Sequence, residues 1–261
     1  LLSASGAITI RDQQPSNTIA GYSYSGLYLR PGSASDAHIL IGADGSNVTS
    51  SSSSITIQSD RLTFDANGSS TIRANTTGVL TMESIGSSFA GAINTQLWDF
   101  GPAPGALPAL GGLTIGKSTN TTSVLVASSV AAAGAVSVYG SRLFLGGDLT
   151  SSAGGNLLLQ GSGDVTLVGN ASTTGTFTAT AGAANSFLMG MNYSTGVAST
   201  ITANGGVTIS AGTSHFAGNV TTVGTGISVT GNVQVANLSA SPAANPVTFD
   251  SGGGAISLTG G

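Results

Sequence analysis

Asp60, Arg61 and Asp65 lie close together in the chain, the kind of grouping from which acid–base catalysis can be built. They flank the strand-like phrase "RLTF". Exposed pairs of this sort contribute less than about 1 kcal/mol and mark a solvated edge, so no catalytic role is expected of them. His38 follows Asp36, and His215 stands alone among hydroxyls. Zinc or general-base chemistry needs two or three partners converging on the imidazole. Surface or stacking roles are expected for both histidines. "GSGDVTL", residues 161–167, is similar to the glycine/aspartate nonapeptide that holds calcium. That pattern must recur on consecutive coils, and here Asp164 has a single copy, with Asp148 in "GGDLTSSAG" at a similar corner. The expectation is an aspartate at a turn, bonding its own backbone.

Residues 111–118, "GGLTIGKS", satisfy the phosphate-loop spacing from Gly111 through Gly116 to Lys117 and Ser118. Such a loop must leave a buried strand and open a helix. Here the supposed loop contains the strand-like triplet Leu113-Thr114-Ile115, and β-branched residues follow it. No serine sits in a nucleophile elbow beside a histidine and an acid. No catalytic, cofactor-binding or metal-binding residue is therefore assigned, no cofactor is expected, and the chain is read as a non-enzyme.

Two sets of residues point to surfaces. Eight N-x-[ST] sequons occur, at Asn47, Asn67, Asn75, Asn120, Asn170, Asn192, Asn219 and Asn237. They are glycan acceptors in a host that glycosylates, or asparagines that stack as an amide ladder at corners. Trp98, with Tyr22, Tyr24 and Tyr28, has the chemistry of a sugar-binding surface, but a lone tryptophan in an aromatic-poor chain is expected in the packing.

Whatever positions these residues must be built from an unusual alphabet. Charged residues are 6% of the chain and hydrophobic ones 40%, with 40 glycines, no cysteine and a net charge of −4. Ordinary soluble domains carry about 25% charged residues. Disordered chains combine low hydrophobicity with high charge, which this chain does not. No apolar run approaches the roughly 18 residues of a membrane helix, so no transmembrane segment is expected. No basic patch exists, which removes the electrostatic footing for nucleic-acid binding. Beyond Asp164 the acids and bases are Asp250 and His215 alone. A surface with so little charge lacks colloidal repulsion, and part of it is expected to be covered by a neighbouring copy or by glycan. The opening "LLSASGAITI" has no initiator Met and no signal peptide, as in a piece of a longer product.

Repeats decide the fold. One row of triplets starts at Val124, Leu143, Val165, Phe187, Val207, Ile227 and Val247, recurring at a period of about 20 residues. A second starts at Leu113, Val136, Leu157 and Phe177. Alternation within a triplet sends its ends inward and its middle outward, so Val207 and Ile209 should be buried and Thr208 exposed. Glycine and asparagine between the rows mark corners. No 3.6-residue apolar stripe of three turns occurs. Such a period with short strands is the pattern of a β-solenoid, whose coils bury their apolar faces only by stacking. The fold expected is all-β, a right-handed parallel β-helix (β-solenoid) with coils of about 20–22 residues. Residues 1–100 read as less regular coils with more closely spaced strands, 101–112 ("GPAPGALPALGG") as a Pro/Gly loop within one solenoid, and 113–261 as regular coils. About thirteen coils at about 4.8 Å each make a rod of roughly 60 Å.

Within residues 110–172 the phrases "LTIGK", "VSVYG" and "LTSSAGGNLLLQGSGDVTL" resemble the repeat region of filamentous-haemagglutinin-type exoproteins of bacterial two-partner secretion systems. The resemblance implies a right-handed β-helix, an extracellular or cell-surface setting, and a role as adhesin, fibre or matrix component. Residues 26–45 and 216–238 resemble phage tail-fibre shafts, in which three chains intertwine. The function expected is a secreted structural rod, serving as filament subunit or adhesin stalk. The alternative is a phage fibre shaft or tip that binds a host-surface glycan. Self-association or stacking with flanking coils is the expected partnership, with cell-surface glycan as a further one. A pectate-lyase-like enzyme would need acids and bases clustered on one face, and the charge-poor coils argue against it.

Overall fold

A triplet such as Val207-Thr208-Ile209 cannot bury its two apolar ends alone, because a single extended segment has no interior. It gains one when an equivalent triplet lies in register above and below it. The structure, a computed structural model, is built on this rule. Residues 8–11, 17–19, 22–24, 27–29, 38–41, 52–64, 71–74, 76–100, 110–192, 197–235 and 247–260 are described. Every regular element among them is a strand.

The strands form three faces of a parallel β-solenoid. On the first face ten strands stack in parallel, and Ile8, Ile55, Leu80, Leu113, Val136, Leu157, Phe177, Val207, Ile227 and Ile256 are successive partners. On the second, Ile93, Val124, Leu143, Val165, Phe187, Ser214 and Val233 follow one another. On the third, Val130, Leu149, Ala171, Ile201, Val220 and Phe249 do so, joined through a bridge from Phe100 to Val130 to the coils before them. The strand Val207–Phe216 turns a corner without breaking and belongs to two faces, with its irregularity between Ser210 and Thr213. That continuity fuses the first two faces into one 15-stranded sheet.

Alternation works as the sequence implies. Val207 and Ile209 are buried and Thr208 is exposed. Inward residues such as Ile57, Leu113, Val138, Leu159 and Leu167 have no solvent exposure. Each such side chain contributes about 1.5–3 kcal/mol on burial. Aromatic rings widen the core at two levels. Trp98 lies flat on Phe100 with centroids 5.6 Å apart, and Phe177, Phe187, Phe216 and Phe249 follow one another edge-on or tilted.

Two expectations are corrected. Ten strands on the first face bound nine circuits among the described residues, not thirteen, and at about 4.8 Å per strand they span about 43 Å. The steps from Leu113 through Val136 and Leu157 to Phe177 keep the period read from the sequence. Other circuits are longer because they carry excursions. The step from Phe177 to Val207 is one of these, and it includes the hairpin pair Met191–Asn192 with Val197–Ala198. That hairpin also breaks the first row of triplets. Phe187 stacks on Ser214 of the second face, and Val207 stacks on Phe177 of the first. The row read from Val124 to Val247 is therefore three rows spliced together, the second face to Phe187, the first at Val207 and Ile227, and the third at the triplet that ends on Phe249, and the third face was not separated as a row of its own.

Residues 101–109 lie outside the described residues, but the strand Gly112–Ile115 pairs with Val79–Glu83 on one side and with Val136–Gly140 on the other. Before it, Ile55–Gln58, Leu62–Phe64 and Thr71–Ala74 supply three strands to one circuit, as their spacing implies.

Candidate functional site

The polar residues of the corners are structural, and their positions explain most of the candidate chemistry. Ser129, Asp148, Asn170, Thr200, Asn219 and Thr248 each precede one strand of the third face, so they form a column. Within it side chains satisfy the backbone of the next coil. Asp148 N–H donates to Ser129 Oγ (3.1 Å), Asn170 N–H to Asp148 Oδ1 (2.7 Å), Thr200 N–H to Asn170 Oδ1 (2.9 Å) and Thr248 N–H to Asn219 Oδ1 (2.9 Å). No asparagine stacks on another here: Asn170 lies between Asp148 and Thr200, and Asn219 between Thr200 and Thr248, so the column mixes amides with an acid and hydroxyls.

Asp164 stands at a different corner, the one before the second face. Its Oδ1 accepts from Ser186 N–H at 3.0 Å, and its Oδ2 pairs with Arg142 Nη2 at 3.3 Å. Asp148 and Asp164 are thus not neighbours on consecutive coils, and both are engaged with the coil beside them. Each bonds the backbone of an adjacent coil rather than its own turn. No group of three metal-capable side chains occurs among the described residues.

The remaining candidates disperse. Asp60 accepts from Gly86 N–H at 2.8 Å, Arg61 is exposed, and Asp65 lies outside the described residues. His215 is half-buried and outward on the second face, between Leu188 and Gln234. Asp36 and the side chain of His38 lie outside the described residues, as do the side chains of Tyr22, Tyr24 and Tyr28. The phosphate-loop spacing is a strand and its corner. Leu113 and Ile115 are fully buried, and Lys117 Nζ donates to the carbonyls of Ser84 (2.5 Å) and Gly86 (3.2 Å). Trp98 is 1% exposed, so its ring serves packing and offers no face to a sugar.

Among the sequons, Asn120 is buried. Its Nδ2 donates to Tyr139 O at 2.8 Å and its Oδ1 accepts from Ser88 Oγ and Thr122 Oγ1, each at 2.9 Å. Asn170 and Asn219 are exposed within the column. Asn47, Asn67, Asn75 and Asn237, and the side chain of Asn192, lie outside the described residues.

Two outer surfaces went unnoticed in the sequence. The first is a groove of about 540 Å³ on the second face beside Phe144, which is 44% exposed, with Asn94, Leu125, Arg142 and Thr166 in its walls. The second is on the first face. The outward residue at the middle of each strand is Thr56, Thr81, Thr114 and Ser137 in successive coils, and after Leu158 the hydroxyls resume. Over the last four strands a second hydroxyl column joins the first. Thr178, Thr208, Ser228 and Ser257 make one, and Thr180, Ser210, Thr230 and Thr259 the other. The signal was present as "FTAT", "VTIS", "ISVT" and "ISLT", but it shows only when the four are set in register.

Compared with family models, with curated proteins and with solved structures, the chain matches none.

Proposed function

We propose that this protein is a non-catalytic structural rod, secreted to the cell surface or beyond, and that it serves as an extracellular filament subunit or adhesin stalk. The observation that carries the reading is the unbroken in-register stack from Ile8 to Ile256. Asp148 and Asp164 support neighbouring coils, Asp250 caps its own turn, and no three metal-capable side chains converge among the described residues. The last strand, Ile256–Thr259, continues the core ladder with Ile256 and Leu258 about half exposed, and it pairs on one side only. An apolar, uncharged edge of this kind invites a further strand, from the same or another chain. One chain supplies all three faces of each circuit, which favours a single-chain stalk over an intertwined three-chain shaft.

Electron microscopy and sedimentation of the purified chain test the proposal. Rods that polymerise end to end support the filament, and discrete elongated monomers the stalk. A compact particle, or a stable trimer, overturns it. The groove beside Phe144 favours one second reading, a tip that binds a host-surface glycan. An exposed ring flanked by the Arg142–Asp164 pair combines a stacking face with hydrogen-bonding groups. Binding on a glycan array that disappears with Phe144→Ala supports it, and a blank array removes it.

A further inference from the structure

We infer that the paired hydroxyl columns on the first face bind ice. The eight side chains stand on four strands held in register along both columns. Their repeat is about 4.8 Å between strands and about 6.7 Å between alternate residues of one strand. A two-dimensional array with those repeats is close in scale to the oxygen spacings of ice faces. The surface is also pre-ordered. Five of the eight are threonine, β-branched and restricted at χ1, so those five lose little side-chain freedom when a lattice docks. The hydroxyls are available: among the described residues only Thr259 has an internal partner, Val229 O at 3.3 Å. Along the first column lies a trough of about 330 Å³, lined by Thr178, Thr208, Ser228 and Ser257 together with Gly206 and Gly226.

Charge and apolar exposure select this partner over others. No charged residue occurs between Asp164 and Asp250, so no ionic hydration shell competes with the lattice across these strands. No aromatic ring lies on the array to stack on a sugar. Among the exposed apolar side chains of the described residues, Phe144, Val223 and Val235 lie off the array, while Ile256 and Leu258, on its last strand, stand in line with the inward Ile227 and Val229 and not with the hydroxyls.

The test is thermal hysteresis of a single ice crystal in the purified chain, together with inhibition of ice recrystallisation. Thr208→Lys places a charge at the centre of the array. Thr202→Lys, equally on the exposed side of its strand but on the third face, is the control. Circular dichroism and melting report whether each folds. The expected result is hysteresis with faceted crystals for the native chain, retained by Thr202→Lys and lost in Thr208→Lys. Ser228→Thr adds a methyl group to the array and should widen the hysteresis gap, a gain that misfolding cannot produce. The inference is overturned if the native chain neither separates freezing from melting nor slows recrystallisation, or if both lysine variants retain activity alike. It is also overturned if the array holds a second copy, seen as a dimer that Thr208→Lys dissociates. None of these results bears on the rod itself.

Discussion

Gly154 and Gly155 are adjacent, and each is required for a different reason. Gly154 has φ of +74°, and a Cβ there would meet nothing within 4 Å. Alanine at this position incurs the left-handed penalty of about 1–2 kcal/mol, partly offset by about 0.4–1 kcal/mol from a stiffer unfolded chain. Gly155 has no positive φ, but its Cβ would fall on the carbonyl of Gly134 in the coil beside it and on Ser151 Oγ. Ser151 Oγ donates to Gly134 O at 2.7 Å, so the methyl group would also displace a buried hydrogen bond. Overpacking costs about 1–3 kcal/mol and the lost bond about 1 kcal/mol more. Gly155→Ala should therefore cost about 3 kcal/mol and Gly154→Ala about 1 kcal/mol. For a chain of this length about 1 kcal/mol lowers Tm by about 2–4 °C, so the two variants should melt roughly 6 °C apart. Thermal unfolding followed by far-ultraviolet circular dichroism measures the difference. Equal melting temperatures, or a larger loss at Gly154, would refute the claim that coil-to-coil contact, rather than backbone conformation, demands glycine at this corner.

Ser214 is fully buried beneath Phe187 and its hydroxyl has no hydrogen-bond partner, so Ser214→Ala should leave the melting temperature unchanged or raise it; a marked fall would reveal a partner. Asn120→Ala strips bonds from Ser88, Thr122 and the Tyr139 carbonyl at once and should destabilise by about 2–3 kcal/mol, read by urea unfolding. Chelation of calcium should leave the melting temperature where it was, because Asp148 and Asp164 already serve separate corners; a drop of several degrees in chelator would overturn that assignment.

The fold was legible because two constraints act together on each triplet. Alternation decides which residues are apolar, and the circuit decides how far on they recur. Leu113, Val136, Leu157 and Phe177 satisfy both and stack as their spacing says. The splice at Phe187 was not legible, because the step on to Val207 has the length of one more circuit. Only the antiparallel pairing of Met191–Asn192 with Val197–Ala198 reveals that the circuit is longer. The third face stayed hidden for a different reason. Its inward residues include Ala171, Ala203, Ser151 and Thr173, which are too small or too polar to register as an apolar row. Those hydroxyls are buried because they bond the neighbouring corner, Ser151 to Gly134 O and Thr173 to Gly155 O.

The same logic separates corners from faces. A corner residue is read by the coil beside it, so its chemistry is consumed there: Asp148 by Asn170, Asp164 by Ser186 and Arg142. Acids that look like metal ligands in the sequence are in fact caps. An outward residue at the middle of a strand meets only its neighbours on the adjacent strands, so its type answers also to what lies outside. On the first face that position is threonine or serine in coil after coil, except at Leu158. Solubility alone does not require this, since any polar side chain would satisfy it, and lysine or glutamate would do so better. Hydroxyls at every rung but Leu158, with no charge across the last four strands, are what the proposed outer partner would select.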